Sequence, residues 1–290
     1  MKLSLAPLSG RYPASAIAEF YREASASPDI DRVYIGELFC AKRLIPLRAF
    51  EEAVTLLEDA GKQVFFSTLA LPAGEADYEA AEPYIERVRT VEVNNLGFIP
   101  WLKERFEEMT VVAGPLTSLY NNDDLEIVRD WGCSGVSLRI DLMPQTMTDL
   151  SANGPLPVEV FCHGRPPLAH SWRCYATRFA GRPQNACGHV CREQDGLVLK
   201  NLEGADGFVA DGPAVLPGQV IATVDEITGY AEAGAAFGRL WLGPGEVAPV
   251  ASAYAALLRG EASAENTRLA LEAAIEGSLR FGPTARRRLS

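Results

Sequence analysis

Short β-branched runs and longer amphipathic runs alternate along this chain almost from its first residue, and no other feature limits its fold as much. LSLAP is followed by AIAEFYREAS, RVYIGE by PLRAFEEAVTLLEDAG, and QVFFSTLAL by DYEAAEPYIERV. TVEVNN with FIPWLKERFEEM and TVVAGP with NDDLEIVRDWG continue the pattern. GVSLRI then precedes a short helical stretch near MPQTMTDLSA, and VEVFCHG is the seventh strand-like run. Short apolar runs bounded by turn residues read as strands, and runs with apolar positions three and four apart read as helices. Strict alternation of the two calls for parallel strands joined by crossover helices.

Further on, QVIATVDEITGYAEAG and FGRLWLGPGEVAPVASAYAALLRG repeat the strand-then-helix order. Eight or so such units predict a single-domain α/β fold, a closed (β/α)8 TIM-like barrel of regular or irregular closure. An open doubly wound sheet usually announces itself by a glycine-rich phosphate loop after the first strand, and LAPLSGRYPAS is not one. Continuity is weakest between Cys191 and Gly218, where hairpin-rich sequence interrupts the alternation. The expected organisation is one domain over residues 1–290, with a cysteine-bearing insertion over 164–217 after the seventh strand.

With 290 residues, 48% of them hydrophobic and 22% charged, the chain can bury a sizeable core without disulfides. The start, MKLSLAPLSG, is broken by Pro7 and Gly10 and lacks the apolar stretch of a signal peptide, so a cytoplasmic protein is expected. Nothing approaches the roughly eighteen consecutive apolar residues of a spanning helix, which argues against an integral membrane protein. A reducing compartment leaves the six cysteines free or metal-bound. The net charge of −11 opposes a nucleic-acid partner. The basic ending ARRRLS reads as a solvated tail or, with less weight, a docking element.

A barrel concentrates function where strands end and βα loops begin. Two such places stand out. GELFCAKR carries Glu37, Cys40, Lys42 and Arg43 after the second strand, and HGRPPLAHSWRC carries His163, His170, Arg173 and Cys174 after the seventh. Cys174, Cys187 and Cys191 supply three thiols from one loop, and Cys40 is the expected fourth on the same face. Cys133 and Cys162 sit where small buried hydrophobes are expected. Twelve residues separate Cys174 from Cys187 and three separate Cys187 from Cys191, so the tight C-x-x-C knuckle of structural zinc is missing. The residues leave three options open: no metal, zinc held by three cysteines and His189, or an iron–sulfur cluster on four dispersed thiolates. His163 is a weak candidate for an acid or base pointing into the barrel mouth, or for a residue that orients the loop. Glu37, also a weak catalytic candidate, is expected to pair with Arg43 or Arg173 and steady the ligand loops.

The stretch EVFCHGRPPLAHSWRC resembles the signature of the collagenase-like peptidase family, with Glu159, Phe161, His163, Gly164, Ser171 and Cys174 at matching positions. Where that signature has its first cysteine, this chain has Pro167. Together with GELFCAKR, STLAL and RPQNACGHVC, this departure resembles the UbiV branch of the family. The resemblance implies an oxygen-independent ubiquinone biosynthesis factor that carries a [4Fe–4S] cluster on Cys40, Cys174, Cys187 and Cys191. It further implies a heterodimer with a paralogue, UbiU, aided by a lipid-carrier protein, UbiT, in hydroxylating the quinone precursor ring. Two readings compete with it: a zinc-stabilised interaction subunit and a collagenase-like peptidase. A relative that hydroxylates RNA bases fits the acidic charge poorly.

Overall fold

The computed structural model describes residues 1–193 and 196–275, and the backbone of 279–281. The tail ARRRLS lies outside the described residues. All seven strand-like runs of the first half form parallel neighbours: Lys2–Leu5 (β1), Arg32–Gly36 (β2), Gln63–Ser67 (β3), Thr90–Val93 (β4), Thr110–Ala113 (β5), Cys133–Ser137 (β6) and Val158–Gly164 (β7). A small antiparallel sheet follows, made of Ala169–His170 (β8), Leu197–Lys200 (β9), Asp206–Asp211 (β10) and Ala214–Pro217 (β11) in the order β8-β11-β10-β9. Val220–Ala222 (β12) comes next, then Phe237–Trp241 (β13). β13 pairs in parallel with both β1 and β7 and so closes the barrel.

The run QVIATV does not contribute a barrel strand, contrary to its sequence pattern. β12 pairs antiparallel with the end of β7, placing Ile221 opposite Gly164 and Ala222 opposite His163. Leu279–Phe281 (β14) extends this flap by pairing with β12. The apolar residues of β12 are explained by what they cover: Ile221 packs with Phe161 and Ile140 above the barrel, while Val220 and Ala222 join the main core.

Crossover helices wrap the outside. Ala14–Ala26 (α1) buries Ile17, Phe20, Tyr21 and Ala24, the three-and-four spacing of one helical face. Leu47–Asp59 (α2) does the same with Phe50, Val54 and Leu57. Glu75–Glu79 (α3) and Glu82–Val88 (α4) follow β3. Phe50 meets Phe66 of β3 at 5.9 Å and Tyr84 of α4 at 5.0 Å, both edge to face. Truncating such a buried ring to alanine costs about 3–5 kcal/mol. Phe98–Arg105 (α5), Asn122–Asp130 (α6) and Pro144–Asn153 (α7) complete the first six strand–helix units, and Asn121 caps α6 by accepting from the Asp124 N–H at 2.9 Å. Tyr175–Phe179 (α8) belongs to the small-sheet insertion. Ile227–Glu232 (α9), Val247–Leu258 (α10) and Ala264–Ala274 (α11) finish the wall. No helix among the described residues is long and apolar enough to cross a membrane.

Charged side chains that the strand pattern hides inside apolar runs meet on the barrel axis. Arg239 of β13, 1% exposed, bridges Glu92 of β4 and Glu159 of β7. Ser67 donates to Glu92 at 2.7 Å; Tyr34 and Ser137 donate to Glu159 at 2.7 and 3.0 Å, and Ser4 donates to its other oxygen. Burial alone would raise the Glu159 pKa, but Arg239, Arg32 and these hydroxyls outweigh it and hold the group below the usual carboxylate range.

Candidate functional site

The C-terminal mouth of the barrel carries two cavities that share a wall. One, of about 280 Å³, opens above the ends of β1, β2, β7 and β13 under β10 and β11, and is lined by Arg11, Glu37, Arg165, Asp211 and Trp241 among others. The other, of about 570 Å³, lies between the loop after β2 and the insertion after β7. Cys40, Cys174, Cys187 and Cys191 all line this second cavity, together with His189 and Trp172. Phe39 lines both.

Each thiol is aimed by local backbone. Cys40 has an extended conformation before a single helical turn, Ala41–Arg43, and Cys174 sits immediately before α8. Gly188 and His189 both adopt left-handed conformations, with φ of 61° and 54°, which turns the chain back so that Cys187 and Cys191 reach one cavity. Hydrogen bonds dock the insertion onto the older loops. Lys42 Nζ donates to the Gln184 carbonyl at 2.7 Å, and Arg192 donates to that of Gly10 at 3.2 Å. Gln184 in turn donates to the Trp172 carbonyl at 2.9 Å. This stitching brings Cys40 to the three thiols of the later loop.

All four thiols are half-buried, whereas Cys133 and Cys162 are buried in the core. Burial, and then the Glu37 carboxylate, push the Cys40 thiol up, and Cys174 is near enough to contribute to the same shift. Burial drives Cys133 up to about 11, the state of an unreactive packed thiol. Among the described residues no three His, Cys, Asp or Glu side chains converge as closely as one metal ion requires. The four cysteines line one cavity of about 570 Å³. As a donor set, four cysteines on one cavity fit an iron–sulfur cluster, whose several metal atoms separate its ligands.

Glu37 and Arg43 lie between the cavities. Glu37 is 2% exposed and accepts from the backbone N–H groups of Gly10 at 3.2 Å and Phe39 at 3.1 Å. Burial raises its pKa, with Arg43 and those N–H groups opposing. Arg43 donates to Asp211 at 3.0 Å, and Arg173 is exposed on the insertion. Asp211 is therefore the hydrogen-bonded carboxylate partner of Arg43, while the expected partner, Glu37, acts on the guanidinium through its charge. Asp211 sits in the β10–β11 hairpin, FVADGPAV, where a turn aspartate gives no sign of so distant a partner.

His163 does not point into the mouth. The pairing of β7 with β13 shifts register between Arg239 and Leu240, which face Phe161 and His163 and leave Cys162 as the extra residue. That bulge changes the phase of the strand. The imidazole is fully buried against α10, with Nδ1 at 3.2 Å from Tyr254 Oη, while the same hydroxyl donates to the Cys162 carbonyl at 3.1 Å. Burial lowers its pKa to about 3, so it is neutral at physiological pH. His170 lies half-buried with its ring 6.2 Å from that of Phe39.

These features define a closed parallel α/β barrel whose elaborated C-terminal mouth holds a thiol-lined cavity. The sequence profile of Peptidase family U32 matches residues 22–277, and the chain belongs to that family. Among solved structures, it resembles the U32 peptidase Mk0906, with a TM-score of 0.49 and 13% identity over 84% of this chain and 94% of the other. It also resembles phospho-2-dehydro-3-deoxyheptonate aldolase from Thermotoga maritima, with a TM-score of 0.46 and 11% identity over 96% of this chain and 72% of the other.

Proposed function

We propose that this chain is the iron–sulfur subunit of an oxygen-independent ubiquinone biosynthesis system, of the UbiV kind. It acts in the cytoplasm as a heterodimer with UbiU, with UbiT carrying the lipid, in hydroxylation of the quinone precursor ring. The observation that carries the reading is that Cys40 and the three clustered cysteines line one cavity although the chain separates them widely. When bound, a [4Fe–4S] cluster supplies one-electron chemistry that amino-acid side chains lack. The residues that would hold it are Cys40, Cys174, Cys187 and Cys191. Lys42, Gln184 and Arg192 fix the loops that present them, and the half-buried setting limits water at the site. Four protein ligands suit electron transfer in this subunit better than direct attack on a substrate, so none of the four is assigned as catalytic.

The family name carries peptidase activity as a competing reading. A cysteine or serine peptidase sets its nucleophile beside a base, whereas His163 is committed to Tyr254 under the helix layer. Cells lacking the chain and grown without oxygen are expected to lose ubiquinone, with recovery on return of the wild-type chain but not of Cys40→Ala. An unchanged quinone level in the deletion would contradict the assignment.

A further inference from the structure

Arg43 ties the loop that carries Cys40 to the insertion that carries the other three thiols. Its backbone N–H donates to the Cys40 carbonyl at 2.8 Å, closing the turn that follows that cysteine. Its side chain turns inward, donating to Ser9 Oγ at 3.2 Å and to Asp211 Oδ1 at 3.0 Å, and the residue lines the thiol cavity together with Cys191. The residue is 1% exposed. Two glycines fix its pose: a Cβ on Gly10 would lie 1.7 Å from the Arg43 carbonyl oxygen, and one on Gly212 would lie 2.1 Å from its Nη2. No larger residue fits at either place without moving Arg43. The second oxygen of Asp211 pairs with Arg11 Nε at 3.3 Å, and Arg11 lines the mouth cavity. One carboxylate thus links the arginine of the thiol site to an arginine of the neighbouring cavity.

A guanidinium keeps its charge under all ordinary conditions and donates in fixed directions. Placed on the wall of a partly dry thiol cavity, it favours whichever state of the held group carries more negative charge. Potentials of iron–sulfur clusters respond to hydrogen bonds on the sulfurs and to nearby charge. Asp211 acts in the opposite sense, because it draws on the same guanidinium and adds a negative charge of its own.

We propose that Arg43 is a positioning residue that holds a buried positive charge on the thiol cavity in a locked pose and raises the potential of the group the four thiolates hold, with Asp211 as its counterweight. The inference rests on the iron–sulfur reading above. The couple concerned is a one-electron step: the cluster in its 2+ state takes one electron from dithionite through mediators and reaches its 1+ state, with no bond made or broken.

The test is a redox titration followed by electron paramagnetic resonance on the full chain purified without oxygen, as wild type, Arg43→Lys, Arg43→Gln and Asp211→Asn, each with iron and sulfide measured on the same sample. The midpoint potential is expected to fall in Arg43→Gln, to fall less in Arg43→Lys, which keeps the charge but loses the fork, and to rise in Asp211→Asn. Should Arg43→Gln fail to fold or load, the opposite shifts of Arg43→Lys and Asp211→Asn carry the test by themselves. Equal potentials in iron-loaded variants, or shifts of one sign in Arg43→Lys and Asp211→Asn, would overturn the inference and leave the cluster reading standing. A wild-type protein without iron and sulfide would overturn that reading itself.

Discussion

Two buried arginines, Arg239 on the barrel axis and Arg43 at the rim, sit in environments that look alike and differ in one respect. Each is 1% exposed, and each is held above its ordinary pKa by two nearby carboxylates against the effect of burial. Arg239 answers Glu92 and Glu159, whose oxygens are also occupied by serine and tyrosine hydroxyls inside a closed barrel. Arg43 answers Glu37 and Asp211, but it also lines the thiol cavity, and its neighbours line open cavities. The first network lies inside the barrel, beside a cavity of only about 20 Å³, and serves to specify the barrel. The second faces space and can act on a ligand.

The largest expected effect breaks the closed network. Arg239→Met leaves Glu92 and Glu159 buried without their cation, and urea unfolding should record a loss of about 3–5 kcal/mol. A loss under about 1 kcal/mol would mean that the axis network is not structural and would remove the contrast.

Acid should act next, and from two directions of the same sign. The His163 pKa is lowered from 6.5 to about 3 in the folded state, so the unfolded chain binds the extra proton and stability falls as pH drops from 6.5 toward 3. Between about pH 7.5 and about pH 5 the histidine alone should remove about 2 kcal/mol, and His163→Gln should flatten that part of the profile. The depressed pKa of Glu159 adds stability above the usual carboxylate range that is lost as pH falls through its folded value. An unchanged slope in His163→Gln would contradict the packing of this imidazole against Tyr254.

The smallest effect is expected at the rim. Cys40→Ser in the metal-free chain alters a half-buried side chain on a loop, and urea unfolding should register a change within about 1 kcal/mol. A rim substitution as costly as Arg239→Met would show that both networks do the same work.

The two regions were also legible to different degrees. Strand–helix alternation was enough to place all eight barrel strands, FGRLW of β13 included, because parallel strands buried on both faces must be short and apolar. It misassigned QVIATV, since an apolar run covering the barrel end has the same composition as one inside the wall. A place at a strand end offered His163 either to the mouth or to the orientation of the loop, and one unpaired residue at Cys162 shifts the phase and turns it toward α10 instead. The axis network left a readable trace that was not used: Glu92, Glu159 and Arg239 each interrupt an apolar strand, and charges there must find each other. The four candidate cysteines stood out by their clustering and by their position after strands, and they line one cavity. Asp211 was not, because a hairpin aspartate is ordinary in sequence and gains meaning only when the insertion folds back over Arg43.

The central claim is that Cys40 belongs with the three clustered thiols and that Cys133 does not. Iron, sulfide and zinc analysis of wild type, Cys40→Ala and Cys133→Ala, purified without oxygen alongside the partner subunit, tests it most directly. The account predicts iron and sulfide in wild type and Cys133→Ala and their loss in Cys40→Ala. Equal iron in both variants, or a colourless wild type holding only stoichiometric zinc, would contradict it.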